Sequence, residues 1–271
     1  MTTPPLDVAP IGALQLALSA LLLVIPGALS AALRLGLVRQ IAVAGARCVI
    51  QLSLVGLVLD WVFAQQSWAT VLAMLCVMVG AASRAAVSRL KRGYAGATWG
   101  ALLALIITTA AVMGPVTTLV LDIEPWYRAQ YVIPMAGMLL GNSLTGLSLT
   151  LDRLLDELVV QRPAIEARLA MGATLREATL PHVREAMRAG MIPILNSMSV
   201  VGIVSLPGMM TGQILSGTDP QRAVAYQILI MFMMAGSTAL ATMVWTRLTL
   251  RALTHPDARL DWDKITRRAS R

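Results

Sequence analysis

The chain has 271 residues, 57% of them hydrophobic and only 13% charged, with a mean hydropathy of +0.71. Average soluble domains carry roughly 25% charged residues, and the apolar residues here gather in stretches of about 20, the length that crosses a bilayer. The net charge of +8 is spread over short segments between those stretches, the pattern of a cytoplasmic membrane face and not of a nucleic-acid footprint.

The expected fold is therefore all-α, a polytopic transmembrane bundle of about seven spans. Apolar runs predict helices at 11–33, 41–64, 68–87, 97–121, 130–150, 189–215 and 223–249. The first is not read as a cleavable signal peptide, because residues 1–10 lack the Lys or Arg of a positive n-region. One transmembrane domain over 1–250 would hold the spans and a polar segment at 151–188, and 251–271 would form a basic tail. Arg34 and Arg39 follow the first span; Arg84, Arg89, Lys91 and Arg92 follow the third. Arg153, Arg162, Arg168, Arg176, Arg184 and Arg188 follow the fifth, and Arg251, Arg259, Lys264, Arg267, Arg268 and Arg271 follow the seventh. The opposite segments are nearly bare: Asp60 to Ser67 has no basic residue, Asp122 and Glu124 are joined only by Arg128, and Asp219 only by Arg222. The positive-inside rule then puts the N-terminus outside and the C-terminus in the cytoplasm.

Within 151–188, Pro163 suits the first turn of a helix, and Ala164 to Met171 reads helical until Gly172 ends it. Thr174-Leu-Arg-Glu177 has the form of a capping box that starts a second helix. By shape alone this is either a solvated amphipathic connector or a docking element. Glu166-Ala-Arg-Leu-Ala-Met-Gly172 resembles the EAA loop of ABC-transporter permeases, with Gly six positions after Glu, although Arg168 replaces the second Ala and Leu180-Pro181 comes early. In such permeases a short helix docks into a cleft of the ATPase. The resemblance implies ATPase coupling by Glu166, Ala167, Gly172, Ala173 and Thr174. The chain has no Gly-x-x-x-x-Gly-Lys-Ser/Thr phosphate loop, so an ATPase of that type would be a separate subunit.

Ser205-Leu-Pro-Gly-Met-Met-Thr-Gly-Gln213 places a Pro-Gly break and the polar Ser205, Thr211 and Gln213 inside an apolar run. Broken backbone in a membrane persists only where protein or a watery cavity satisfies it, as beside transport paths. The sequence reading places Pro207 and Gly208 as a hinge at the end of one continuous helix that carries motion from the polar segment. Val200 to Leu215, Gly217-Thr-Asp-Pro220 and Tyr226-Gln-Ile-Leu-Ile-Met231 are similar to the FetB-type permease family of bacterial iron exporters and plant proteins of aluminium tolerance. Arg47-Cys-Val-Ile-Gln-Leu52, Ile133 to Asn142 and Leu169 to Thr174 extend the similarity from the second span to the seventh. The resemblance implies a permease without enzymatic activity in a bacterial inner membrane. By that resemblance it would pair with an ATPase subunit that binds ATP and Mg, two copies of each, and would export iron, while this chain itself would bind no cofactor.

Individual residues leave alternatives open. Arg47 and Gln51 share a face of the second span; Arg47 either snorkels to headgroups or forms an inner gate or anion contact. Met135, Met138 and Asn142 from the fifth span, with Asn196, Ser199, Met209 and Met210 from the sixth, would form a polar, thioether-containing path. Thioethers suit soft ions such as Cu(I), and ferrous or aluminium ions prefer oxygen or imidazole; methionines also pack flexibly, and Gly137, Gly141 and Ser143 suit close helix contact. All fourteen acidic residues lie between predicted spans or near their ends, so no buried carboxylate metal site is expected and the metal ligands are left unassigned. His182, His255, Cys48 and Cys76 have no metal-ligand spacing. Two other functions compete with metal export: a permease for a nucleotide sugar, lipid-linked molecule or chelate, and a non-transporting scaffold.

Overall fold

The computed structural model describes residues 12–65, 67–255 and 259–267. The N-terminal stretch considered above for a signal peptide, and Arg268 and Arg271 of the basic tail, lie outside these. Helix α1 (Ala13–Ala20), a 3₁₀ turn (Leu21–Leu23) and α2 (Val24–Ala32) make up the first span, and α3 (Val38–Gln65) and α4 (Trp68–Ser88) the next two. After a two-residue strand β1 (Arg92–Gly93) come α5 (Ala97–Pro115) with a wider π turn to Val120, and α6 (Ala129–Val160). Helices α7 (Arg162–Ala170), α8 (Leu175–Val200), α9 (Gly208–Leu215) and α10 (Pro220–Leu253) follow, and β2 (Thr266–Arg267) pairs antiparallel with β1.

Among the described residues six helical stretches are long and apolar enough to cross a membrane: Leu14–Ala32, Val38–Gln65, Trp68–Ser88, Ala97–Val120, Ala129–Val160 and Pro220–Leu253. The all-α bundle expected from the sequence is what forms. The expected sixth span differs. It is not one helix over 189–215: α8 begins at Leu175 and stops at Val200, and α9 restarts at Gly208. Eight residues of α9 reach only about 12 Å, too short to span alone. The motion-carrying helix therefore ends before Pro207-Gly208 and not at it. Gly202 sits at φ +84, a left-handed conformation that ordinary side chains resist, and this residue turns the chain out of α8.

Helix α6 also runs ten residues beyond the expected end at 150, because its apolar face continues. Leu147, Leu151, Leu154, Leu155 and Leu158 recur at helical spacing, all buried against α4, α5, α8 and α10. A second core at the other end gathers Val62, Val71, Met113, Val132, Met135, Ile194, Ile230 and Met233. By contrast α1 to α3 hardly enter the core, and Ser30 and Val62 are their only buried side chains among the described residues. Their apolar side chains remain free to face acyl chains.

The tightest packing joins α6 to α8. A Cβ built on Gly190 would run into the Thr150 hydroxyl and come 2.6 Å from the Gly146 carbonyl oxygen; one on Gly146 would meet the Thr238 methyl of α10. Small residues of this kind let membrane helices approach backbone to backbone. Gly190→Val should therefore lower stability by about 1–3 kcal/mol, the usual cost of overpacking, measured as thermal unfolding in detergent. Gly80→Ala, where nothing lies within 4 Å, should leave it unchanged.

Candidate functional site

The helix break closes much of its own hydrogen bonding. The Val201 N–H still donates to the Ser197 carbonyl at 3.1 Å, and the N–H groups of Val204 and Ser205 both donate to the Val200 carbonyl, at 3.0 and 3.3 Å. The Gly202 N–H reaches the Ser205 carbonyl at 2.9 Å, and the Thr211 hydroxyl donates to the Pro207 carbonyl at 3.1 Å. A broken segment survives in a membrane by satisfying its backbone in this way.

Behind the break lies a cavity of about 310 Å³. Met138 and Asn142 reach it from α6, Ser197 and Val201 from the end of α8, and Ser205, Pro207, Gly208 and Met209 from the break and the start of α9. Gln227, Met231 and Met234 of α10 complete the wall. The Asn142 Nδ2 donates both to the Met138 carbonyl at 3.0 Å and to the Met234 sulfur at 2.8 Å, tying α6 to α10. Gln227 is only 6% exposed, and its Oε1 has no hydrogen-bond partner.

The structure thus brings together six of the residues singled out in the sequence: Met138, Asn142, Ser205, Pro207, Gly208 and Met209. Others sit elsewhere. Met135 is buried in the core, and Asn196 and Ser199 are on the exposed side of α8. Met210, Thr211 and Gln213 are half-buried on α9 but do not line the cavity, and the Gln213 Oε1 is buried without a partner. Arg47 and Gln51 lie on the exposed face of α3, away from the cavity. Arg47 is about 14 Å along that helix from its start at Val38. Sequence reasoning passed over Gln227, Met231 and Met234, although their i, i+4, i+7 spacing puts an amide and two thioethers on one face of α10. Ser197 and Val201 carried no signal of their own.

Among the described residues no three His, Cys, Asp or Glu side chains cluster as metal ligands would. Cys48 and Cys76 are free and exposed. The donors that face the cavity are uncharged: thioethers, amides and hydroxyls.

At the other end of α8, the short helix α7 is anchored by Ile165, which is fully buried, and it presents Glu166, Ala167 and Gly172 outward. Ala173 is half-buried and Thr174 exposed. Met171, at the exit from α7, is 79% exposed. Gly172 adopts φ +91 to end the helix. The capping box forms as expected: the Thr174 hydroxyl donates to the Glu177 carboxylate at 2.7 Å, the Thr174 N–H donates to it at 2.8 Å, and the Glu177 N–H returns to the hydroxyl at 3.3 Å. His182 Nδ1 lies 3.2 Å from Glu157, joining α8 to the end of α6, and the Arg162 guanidinium stacks 5.2 Å from the Trp262 ring while its Nε contacts Glu166 at 2.8 Å.

The chain matches the profile of the uncharacterised protein family UPF0014 over residues 13–254. It belongs to the UPF0014 membrane protein family. It is 38% identical over 220 residues to a UPF0014 membrane protein of Synechocystis, covering 80% of this chain and 84% of that one. It is 36% identical to YjkA of Bacillus subtilis, covering 89% and 94% of the two chains. It is 33% identical to the Escherichia coli protein named probable iron export permease protein FetB, covering 88% and 90%. No solved structure matches this UPF0014 chain. It is thus a membrane protein, related to one that is named a probable iron export permease.

The capping box gives α8 a pH-dependent start. Hydrogen bonds from the Thr174 hydroxyl first, and from its N–H second, hold the Glu177 carboxyl below the ordinary carboxylate range. A lowered pKa stabilises the fold above the unfolded-state value, and that contribution is lost as pH falls through the lowered one. Glu177→Gln should therefore melt below wild type at neutral pH, with the gap closing on acidification.

Proposed function

We propose that this chain is the membrane-spanning permease subunit of an ABC exporter in a bacterial inner membrane. A separate ATPase subunit binds ATP and Mg, two permeases assemble with two ATPases, and the cargo is iron or a related metal species. With the end of α8 and α9 together crossing as a broken seventh span, the N-terminus faces outward and the C-terminus faces the cytoplasm. The observation that carries the reading is the single helix α8, which starts beside the exposed α7 and ends in the wall of the cavity. From Thr174 to Ser197 it runs about 34 Å, its charged first half on the α7 side and its apolar end at the cavity.

In this reading the ATPase grips the outward face of α7, around Glu166, Ala167 and Met171. Closure of the ATPase dimer then pushes the Gly172–Thr174 turn, and α8 transmits the push. Pro193, one turn before Ser197, lacks the N–H that would bond the Ala189 carbonyl, so α8 bends most easily just before the cavity. Movement there shifts Ser197 and Val201 relative to Gln227 and Met231 on α10, and the Gly202 turn passes it on to α9. The wall opens to one side or the other without any chemistry in this chain. The similarity to FetB, named a probable iron export permease, and the EAA-like Glu166 to Gly172 segment support the exporter class.

A wholly uncharged cavity lining favours one second reading, in which the cargo is a chelate or a non-metal solute. In cells lacking the protein, iron should accumulate if iron is the cargo; iron, copper and silver contents all unaltered would favour the second reading. In vesicles holding permease and ATPase, ATP should drive solute flux, and a scaffold would give none. Glu166→Lys and Gly172→Val should abolish that flux while basal ATP hydrolysis by the partner persists. Full coupling in both variants would remove α7 as the docking element.

A further inference from the structure

We propose that the cavity behind the helix break is a binding site for a soft monovalent cation of the Cu(I) or Ag(I) class. It would be held by the thioethers of Met138, Met209, Met231 and Met234 and the amide oxygens of Gln227 and Asn142. The proposal rests on reading the chain as a metal-exporting permease with this cavity as its cargo site, and it puts a soft monovalent ion in place of iron as that cargo.

Four methionines from three elements meet at one cavity: Met138 from α6, Met209 from the first turn of α9, Met231 and Met234 from α10. Methionines that merely pack would fill the space between these helices, whereas here they border about 310 Å³ of it. The lining contains no carboxylate, imidazole or thiolate. A di- or trivalent hard cation inside a membrane would face a large desolvation cost with no opposing charge. Thioethers instead select soft ions of low charge, for which neutral donors suffice.

Two further observations point to a ligand. Gln227 is in the lining, and its Oε1 is buried with no hydrogen-bond partner, an acceptor costly to leave unmet; turning the amide toward the cavity would offer that oxygen to an ion. Asn142 has both its Nδ2 bonds committed, to the Met138 carbonyl and the Met234 sulfur. The second of these bonds fixes one of the four thioethers in place. A second polar group holding a ligand atom in position is a recurring feature of metal sites. The cavity is about ten times the roughly 30 Å³ that one water occupies in the liquid, so the ion would enter with waters and the flexible methionines would close on it. Because Met209 belongs to α9 and Met231 to α10, binding would draw the two sides of the break together.

The test uses the full-length permease in nanodiscs and Ag(I) as an oxidation-stable probe, with Cys48→Ser and Cys76→Ser in every protein compared, the wild-type reference included, because those exposed thiols would bind Ag(I) themselves. Titration calorimetry should give one tight site per chain, and silver X-ray absorption should show sulfur neighbours. The volume-conserving pair Met138→Leu with Met231→Leu should weaken binding by roughly 10–100-fold, with an unchanged melting temperature. Met209→Leu, on the half-exposed α9, should weaken it independently, whereas Met171→Leu, far from the cavity, should not. Equal Ag(I) affinity in wild type and in both cavity variants would overturn the site, as would tight Fe(II) binding lost in these variants with no Ag(I) site in wild type. ATP-driven iron flux with no Ag(I) site would also overturn it and leave the exporter reading standing. Ag(I) binding at the cavity with no ATP-driven flux of any metal would keep the site and remove the transport reading.

Discussion

Gly146 and Gly190 let α6 and α8 cross with backbone against backbone, while the Thr238 methyl of α10 closes over the same point. Lipid tails are as apolar as leucine, so helices in a membrane gain little from hiding apolar surface and depend on close fit. The crossing supplies that fit and fixes where α8 is held. About 22 Å of α8 lies on the α7 side of Gly190 and about 15 Å on the cavity side. A helix clamped between its ends behaves as a lever, and both features singled out as functional sit at the ends of this one. Remove the clamp and α7 and the cavity become separate features of one surface.

The rest of the bundle divides according to how it supports that lever. Helices α4, α5, α6 and α10 make the fixed frame, with buried Trp245, Leu147 and Leu154 filling the space between them. At the polar end, Arg92 contacts Asp156 at 2.9 Å, and the β1–β2 pair draws the C-terminal segment over the α4–α5 turn, where Trp262 and Ile265 pack on the core. A half-exposed ion pair of this kind adds little stability by itself; with the strand pair it holds the frame where α7 leaves it. Helices α1 to α3 stand aside from the frame, with side chains exposed over most of their length, and so leave much of their surface for lipid or neighbouring subunits.

The features readable in the sequence were those written in local chemistry. Long apolar runs announced the spans, Thr174 with Glu177 announced the start of α8, and Gly172 announced the end of α7. The break was visible as well, but its place was misjudged. Pro207-Gly208 looks like the interruption, yet the helix has already stopped at Val200, because Gly202 turns the chain and proline merely begins α9. The cavity was half legible. Met138, Asn142 and Met209 stood out by residue type, whereas Gln227, Met231 and Met234 depended on which face α10 turns inward. That rotation is set by packing around Gly146 and Thr238, far away in sequence, and no local pattern encodes it. Met135 illustrates the reverse: three residues from Met138, it points into the core.

The uncharged lining of the cavity has an electrical consequence. A carrier that meets a cation with carboxylates can cancel the charge before moving it; a cavity of thioethers, amides and hydroxyls cannot. Any cation leaving by this route crosses with its full charge, and each cycle is a current. Against an interior-negative potential, outward movement of one elementary charge costs about 2.3 kcal/mol per 100 mV. A monovalent cargo meets that load once and a trivalent one about three times, so membrane voltage itself favours the cargo of lowest charge.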